Sequence, residues 1–257
     1  MDVAAFLARW REAGPAERAN KDSFLAELCD VLEVERPVPK TNDPEKDRYV
    51  FEKDVARSRE DGTSIGRIDL FRAGCFVLEA KQVDAAKRGS PAWEQAMNDA
   101  HGQALGYARS LPVAPPFVVV CDIGHCFDLY ASFDGSGAYR PFPDAFKKRL
   151  FLADLERHLP LLRALWDDPL GLDPARQQSK ITREVAAKLA ILARELEGSG
   201  RDPRRVAEFL MRCRFTMFAE DVGLLPEKLF SKYLHEYWLP NPASFPGGVG
   251  ALWRDMN

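Results

Sequence analysis

The chain has 257 residues, 46% of them hydrophobic and 29% charged, and a formal net charge of -3. That length suits one large domain or two modest ones, and the composition is that of a folded globular protein, which excludes a disordered chain. The small acidic balance also excludes a uniformly basic nucleic-acid binder, so contact with nucleic acid must come from local patches.

The opening stretch MDVAAFLARWREAG has the mixed charge and spacing of an amphipathic helix, not of a secretory leader. No apolar run approaches the roughly 20 residues that cross a bilayer. Phe6 and Trp10, then Phe24, Leu25, Leu28 and Leu32, mark two helices broken at AGPAE. A proline-rich loop runs from Arg36 to Asp47, after which the apolar period shortens to that of strands. RYVFEKDV, RIDLFR and CFVLEAK read as three strands. The helix PAWEQAMNDAHGQALGYARSL follows, with Pro91 at its start and an apolar stripe of Trp93, Met97, Ala100, Ala104, Tyr107 and Leu111. FVVVCDI is continuously apolar, as in a strand covered on both faces, and CFDLYASF is its hairpin partner across Gly124-His125.

From about Leu152 onward the pattern is helical, with Asp202-Pro203 opening one helix and Gly223 closing it. The connector DDPLGLDPARQQ marks the boundary, giving an α/β domain over residues 1–168 and an all-α region over 169–257. The five cysteines Cys29, Cys75, Cys121, Cys126 and Cys213 form no C-x-x-C pair and lack histidines at zinc-finger spacing. An odd thiol count without a leader points to a reducing, cytoplasmic setting.

Three charged residues interrupt strands otherwise built for burial: Asp69 in RIDLFR, and Glu79 and Lys81 in CFVLEAK. Alternation puts Glu79 and Lys81 on one face, about 7 Å apart. A two-residue turn at Ala73-Gly74 pairs Asp69 with Leu78, on the wrong face. A three-residue loop, Ala73-Gly74-Cys75 with Gly74 left-handed, pairs Asp69 with Glu79. The sequence permits both. Facing carboxylates repel unless positive charge separates them, and a hard divalent cation with oxygen ligands would do so, with Lys81 beside it to position or deprotonate a water. The plainer alternative is an Asp69–Lys81 cross-strand ion pair with Glu79 solvated. On the following helix, Gln103 and Tyr107 lie four apart and share a face.

This order of elements, with Asp69, Glu79-Ala80-Lys81 and the Gln103…Tyr107 pair, resembles the PD-(D/E)xK restriction-endonuclease-like superfamily; Ile68 stands where the motif has proline. Over most of its length, from Glu17 to Leu239, the chain also resembles the N-terminal part of MmeI-like (type IIL/IIG) restriction–modification enzymes. The matching stretches include YVFEKDV, GRIDLFRAGCFVLEAKQ, PPFVVVCDIGHCFDLYASF and RVAEFLMRCRFTMFAEDVGLLPE. The resemblance implies a Mg²⁺-dependent endonuclease (Mn²⁺ being the alternative ion) acting on double-stranded DNA and leaving a 5′-phosphate. It implies metal held by Asp69, Glu79 and the Ala80 carbonyl, cleavage carried by Asp69, Glu79 and Lys81, support from Gln103 and Tyr107, and Glu17 as an additional acid. It makes the C-terminal helices a spacer that leads, in the longer enzyme, to an adenine methyltransferase using S-adenosylmethionine and to a target-recognition domain. NPAS and FPGGVGAL lack the setting of a methyltransferase's cofactor and base-gripping loops. The chain is therefore expected to be a fragment of such an enzyme or a stand-alone relative, and a catalytically silent DNA-binding module is the alternative to a nuclease.

His101, His125, His158 and His235 form no catalytic pattern, and no P-loop or nucleophile elbow is present. Basic residues at FKKRL and in RDPRRVAEFLMRCR can meet phosphates or simply form solvated helix faces.

Overall fold

A computed structural model describes residues 2–14, 16–41, 43, 45–59, 62–225 and 228–256, with side chains left aside at 57–64 and 255. The chain divides into two compact units, Met1–Gln178 and Ser179–Asn257. No helix among the described residues is long and apolar enough to cross a membrane.

The first unit is α/β. Helices α1 (Val3–Glu12) and α2 (Glu17–Leu32) precede strands β1 (Tyr49–Arg59), β2 (Gly62–Arg72) and β3 (Phe76–Lys81). Helix α3 (Pro91–Ser110) leads to β4 (Phe117–Asp122) and β5 (Cys126–Ala131); two short strands, β6 (Arg140–Pro141) and β7 (Arg149–Phe151), and α4 (Leu155–Asp167) complete it. The seven strands form one mixed sheet in the order β1-β2-β3-β4-β5-β6, with β7 on β5. All neighbours are antiparallel except β3 and β4, which run parallel because α3 carries the chain across between them.

Each face of the sheet has its own core. Phe76, Leu78, Phe117 and Val119 pack with Phe24 and Leu28 of α2 and with Trp166 of α4. Val77, Val118 and Val120 pack on the other face against Trp93, Met97, Ala104 and Tyr107 of α3. Central strands β4 and β5 are buried throughout, as the run FVVVCDI requires. Ser90 caps α3 by accepting from the Trp93 N–H at 3.2 Å, with Pro91 in the first turn.

Strands β6 and β7 are absent from the sequence reading, since two- and three-residue strands are too short to show alternation. Their presence uses up part of the basic FKKRL stretch. Arg149 donates to both oxygens of buried Asp128, at 2.7 and 2.8 Å, and to Glu94 at 2.6 Å. Lys148 donates to the Tyr130 hydroxyl at 2.8 Å. These two cations are internal partners, and Lys147 alone of the three is a largely exposed one.

The second unit is helical. It holds most of α5 (Pro174–Gly198), then α6 (Pro203–Asp221), α7 (Leu229–Tyr233) and α8 (Phe245–Asp255). Asp202 caps α6 by accepting from the Arg205 N–H at 3.1 Å, and Gly223 (φ +78°) follows its end. Phe230, Trp238 and Val249 form the unit's small core. FPGGVGAL lies within α8, and Gly248 is needed there for packing: a Cβ at that position would sit 2.4 Å from the Trp238 indole nitrogen.

Candidate active site

The β2–β3 connection is the three-residue loop. Leu70 pairs with Leu78, Phe71 with Val77 and Arg72 with Phe76, and Gly74 takes φ +74°. Continued by one residue, this register sets Asp69 against Glu79. The strands part at that point, and Asp69 Oδ2 accepts from the Ala80 N–H at 2.7 Å, in place of a ladder bond. Asp69 Oδ1 accepts from the Lys21 ammonium at 2.7 Å.

Glu79 and Lys81 share the face occupied by Val77, towards α3, while Leu78 and Ala80 point into the opposite core. Lys81 donates to Glu79 Oε1 at 2.9 Å. Glu79 is only 1% exposed, and among the described residues its Oε2 has no hydrogen-bond partner. Burial, then the charge of Asp69, push the Glu79 carboxyl up to about 7, against partial relief from Lys81 and Lys21. Burial by itself would lower the Lys81 ammonium, but the charge and hydrogen bond of Glu79, with Glu17 and Asp69 nearby, leave it raised. In this state Lys81 is a cation and a proton donor, not a base.

The Asp69–Lys81 ion pair with a solvated Glu79 does not form. Lys81 pairs instead with Glu79, which is buried, and Asp69 takes Lys21. Ala80 has its N–H on the β2 side. Within a strand residue N–H and C=O point the same way, and the Lys81 carbonyl accepts from Ile123 beyond β4. The Ala80 carbonyl therefore faces the gap where β2 departs, towards Asp69.

Two elements hold the end of β3 in place. Gln82 donates to the Gly14 carbonyl at 2.9 Å and accepts from Ala16 N–H and Asn20 at 2.9 and 3.0 Å, while Glu17 accepts from Gln82 N–H at 3.1 Å. On the other side, fully buried Asp122 accepts from Trp93 Nε1 at 2.9 Å, Arg88 Nε at 3.0 Å and Val83 N–H at 3.3 Å. The loop leaving Lys81 is thus tied both to the first turn of α2 and to β4.

Gln103 and Tyr107 do share a face of α3, with Gln103 Nε2 donating to the Tyr107 hydroxyl at 3.0 Å. Tyr107 is in the core under α3. Gln103 lies on the α3 side, half-buried.

Sequence reasoning missed Lys21 and Glu52. Lys21 also forms an ion pair with Glu52 of β1. Glu52 stands between the pairs Phe51–Leu70 and Lys53–Ile68, hence opposite Asp69, with a left-handed φ of +52°. There β1 exchanges faces, Phe51 packing with the α2 core and Val55 with the α3 core. The signal for Lys21 was available: Glu17, Lys21, Phe24 and Leu28 form one helical stripe, and a lysine there extends a core-facing row.

The carboxylates of Asp69 and Glu79 and the Ala80 carbonyl could hold one hard cation. Among the described residues, no three His, Cys, Asp or Glu side chains are set to hold a metal, and Lys21 lies against Asp69 and Glu52. The donor chemistry nonetheless fits Mg²⁺ or Mn²⁺: hard oxygens only, one of them the unpartnered Glu79 Oε2. Comparison with known families decides the wider setting. The MmeI N-terminal domain matches residues 1–199, and the MmeI helicase spacer domain matches residues 204–257. The chain belongs to the MmeI family. Membership places it in a restriction–modification setting, with an α/β N-terminal domain followed by a helical spacer. No curated protein and no solved structure matches it.

Proposed function

We propose that the first unit is a Mg²⁺-dependent endonuclease module that hydrolyses phosphodiester bonds of double-stranded DNA. The observation that carries this reading is the buried, unpartnered Glu79 Oε2 beside the Asp69 carboxylate. An arrangement this costly to burial is expected where a ligand supplies the missing positive charge. Asp69, Glu79 and the Ala80 carbonyl would hold the ion. When bound, the ion would supply charge stabilisation at phosphorus and a more acidic water. Lys81, held protonated by Glu79, would donate to the attacking water or to a phosphoryl oxygen, not take a proton from it. Gln103, half-buried on α3 beside Tyr107, would contact the DNA backbone. Hydrolysis would leave a 5′-phosphate and a 3′-hydroxyl. Methylation with S-adenosylmethionine, and target recognition, would belong to other domains of a longer enzyme.

The test is nicking of supercoiled DNA with Mg²⁺ by the chain, Asp69→Ala and Lys81→Ala. Loss of nicking in each variant, with the circular dichroism of the parent, is expected; cleavage retained in both would defeat the assignment. One observation favours a second reading, a silent DNA-binding module: both acids already have internal ammonium partners, Lys21 for Asp69 and Lys81 for Glu79. A chain that retains DNA in gel-shift experiments but shows no Mn²⁺ heat dependent on Glu79 would select it.

A further inference from the structure

Lys21 has no part in the reaction just described, yet it occupies the Asp69 carboxylate. Its position is built, not incidental. It extends the core-facing stripe of α2, and its side chain and that of Asp69 are 13% and 14% exposed, so the pair is largely desolvated. Burial would lower its pKa, but the hydrogen bonds and charges of Asp69 and Glu52 outweigh that and raise it, so the ammonium stays charged.

The two carboxylates that Lys21 bridges are unequal. Asp69 is the partly buried acid beside Glu79, with Oδ2 on the Ala80 N–H and Oδ1 on Lys21. Glu52 is the more exposed partner, at 39%. Its backbone lies in the left-handed region, with the Lys40 ammonium on its carbonyl oxygen at 2.8 Å, and its carboxylate is the second berth for Lys21. A divalent cation entering between Asp69 and Glu79 would meet a positive charge at hydrogen-bonding distance from one of its ligands, and like charges at that range repel strongly in a partly desolvated site.

We propose that Lys21 is a tethered counter-ion: it holds Asp69 and Glu52 together in the metal-free protein, and it yields Asp69 to an incoming divalent cation while remaining on Glu52. The inference rests on the reading of Asp69 and Glu79 as cation ligands. It makes Lys21 a positioning residue that sets the affinity for the ion, with Glu52 acting through it. If Lys21 merely fastened α2 to the sheet, its loss would cost stability and leave cation binding no tighter.

Calorimetric titration of the whole chain with Mn²⁺ separates these cases. Lys21→Met should bind Mn²⁺ about tenfold more tightly than the parent, a typical size for coupling between neighbouring sites, while its metal-free form melts at a lower temperature. Glu52→Gln should weaken binding in the parent, because Lys21 loses its second berth, and should change nothing in a Lys21→Met background. Unchanged or weaker binding by a folded Lys21→Met, with heat that still vanishes in Glu79→Gln, overturns the counter-ion and leaves the cation site standing. If Lys21→Met does not fold, Glu52→Gln decides alone, and unweakened binding overturns the proposal. Absence of Mn²⁺ heat in the parent and in every variant overturns both the site and the inference. Binding that appears only in Lys21→Met supports the proposal in its strongest form.

Discussion

Glu79→Gln keeps the shape of the side chain and removes its charge. The folded protein raises this carboxyl from 4.5 to about 7. At about 1.4 kcal/mol per pH unit, the charged form is worth about 3 kcal/mol less in the folded state than in the unfolded one. The sign follows from the direction of the shift. Below pH 4.5 the group is neutral in both states and costs nothing; the stability it allows is lost as pH rises towards 7, and the loss is complete above it. Glutamine is neutral throughout, so the variant escapes this loss. The attraction of Lys81 is already contained in that raised value, so losing the ion pair adds no further term. The net expectation is a variant about 3 kcal/mol more stable than the parent at pH 8 without divalent ions, and equal to it at pH 4.5. Urea unfolding of the sheet unit, followed by circular dichroism between those pH values, measures it. Parent and variant profiles that stay parallel over the whole range would refute the reasoning, because they would mean that Glu79 is not held in an unfavourable charged state. Mn²⁺ at a thousandfold excess over its Kd should reverse the order, since the parent alone would gain about 4.1 kcal/mol.

Asp122→Ala removes the acceptor shared by Trp93, Arg88 and Val83; a loss of about 3–5 kcal/mol is expected in urea unfolding, with faster hydrogen exchange at the Val83 amide. Gly248→Ala puts a methyl group against the Trp238 indole and should cost the helical unit about 1–3 kcal/mol, read from tryptophan fluorescence during unfolding. Ser90→Ala removes the α3 cap and should cost about 1 kcal/mol while leaving Mn²⁺ affinity unchanged.

Much of the site's skeleton was legible in the residues. The stripe from Trp93 to Tyr107 faces the sheet as its spacing required, with Leu111 partly buried at the end. The run Phe117–Asp122 is an interior strand for the reason its composition suggested. Gly74 was the residue able to take a left-handed turn, and the three-residue loop built on it sets the register that, carried one residue further, puts Asp69 opposite Glu79. Lys148 and Arg149 were harder. A basic cluster in sequence is equally consistent with a phosphate surface and with internal ion pairs, and only the return of β7 onto β5 brings them to Asp128. FPGGVGAL carried the same ambiguity, because glycines that admit a neighbouring indole and glycines that admit a phosphate are the same residues.

Local sequence determined the longer elements, the face that Glu79 and Lys81 share, and the glycine that set the strand register, because alternation, helical spacing and turn conformation are short-range properties of the chain. Tertiary structure decided which charges neutralise which. Lys21 reaches Asp69 across 48 positions of sequence and Glu52 across 31, and Glu79 is buried with an oxygen that none of the described residues partners. Pairing and desolvation depend on distances between segments that no local pattern encodes, and the chemistry of this site is made of those two quantities.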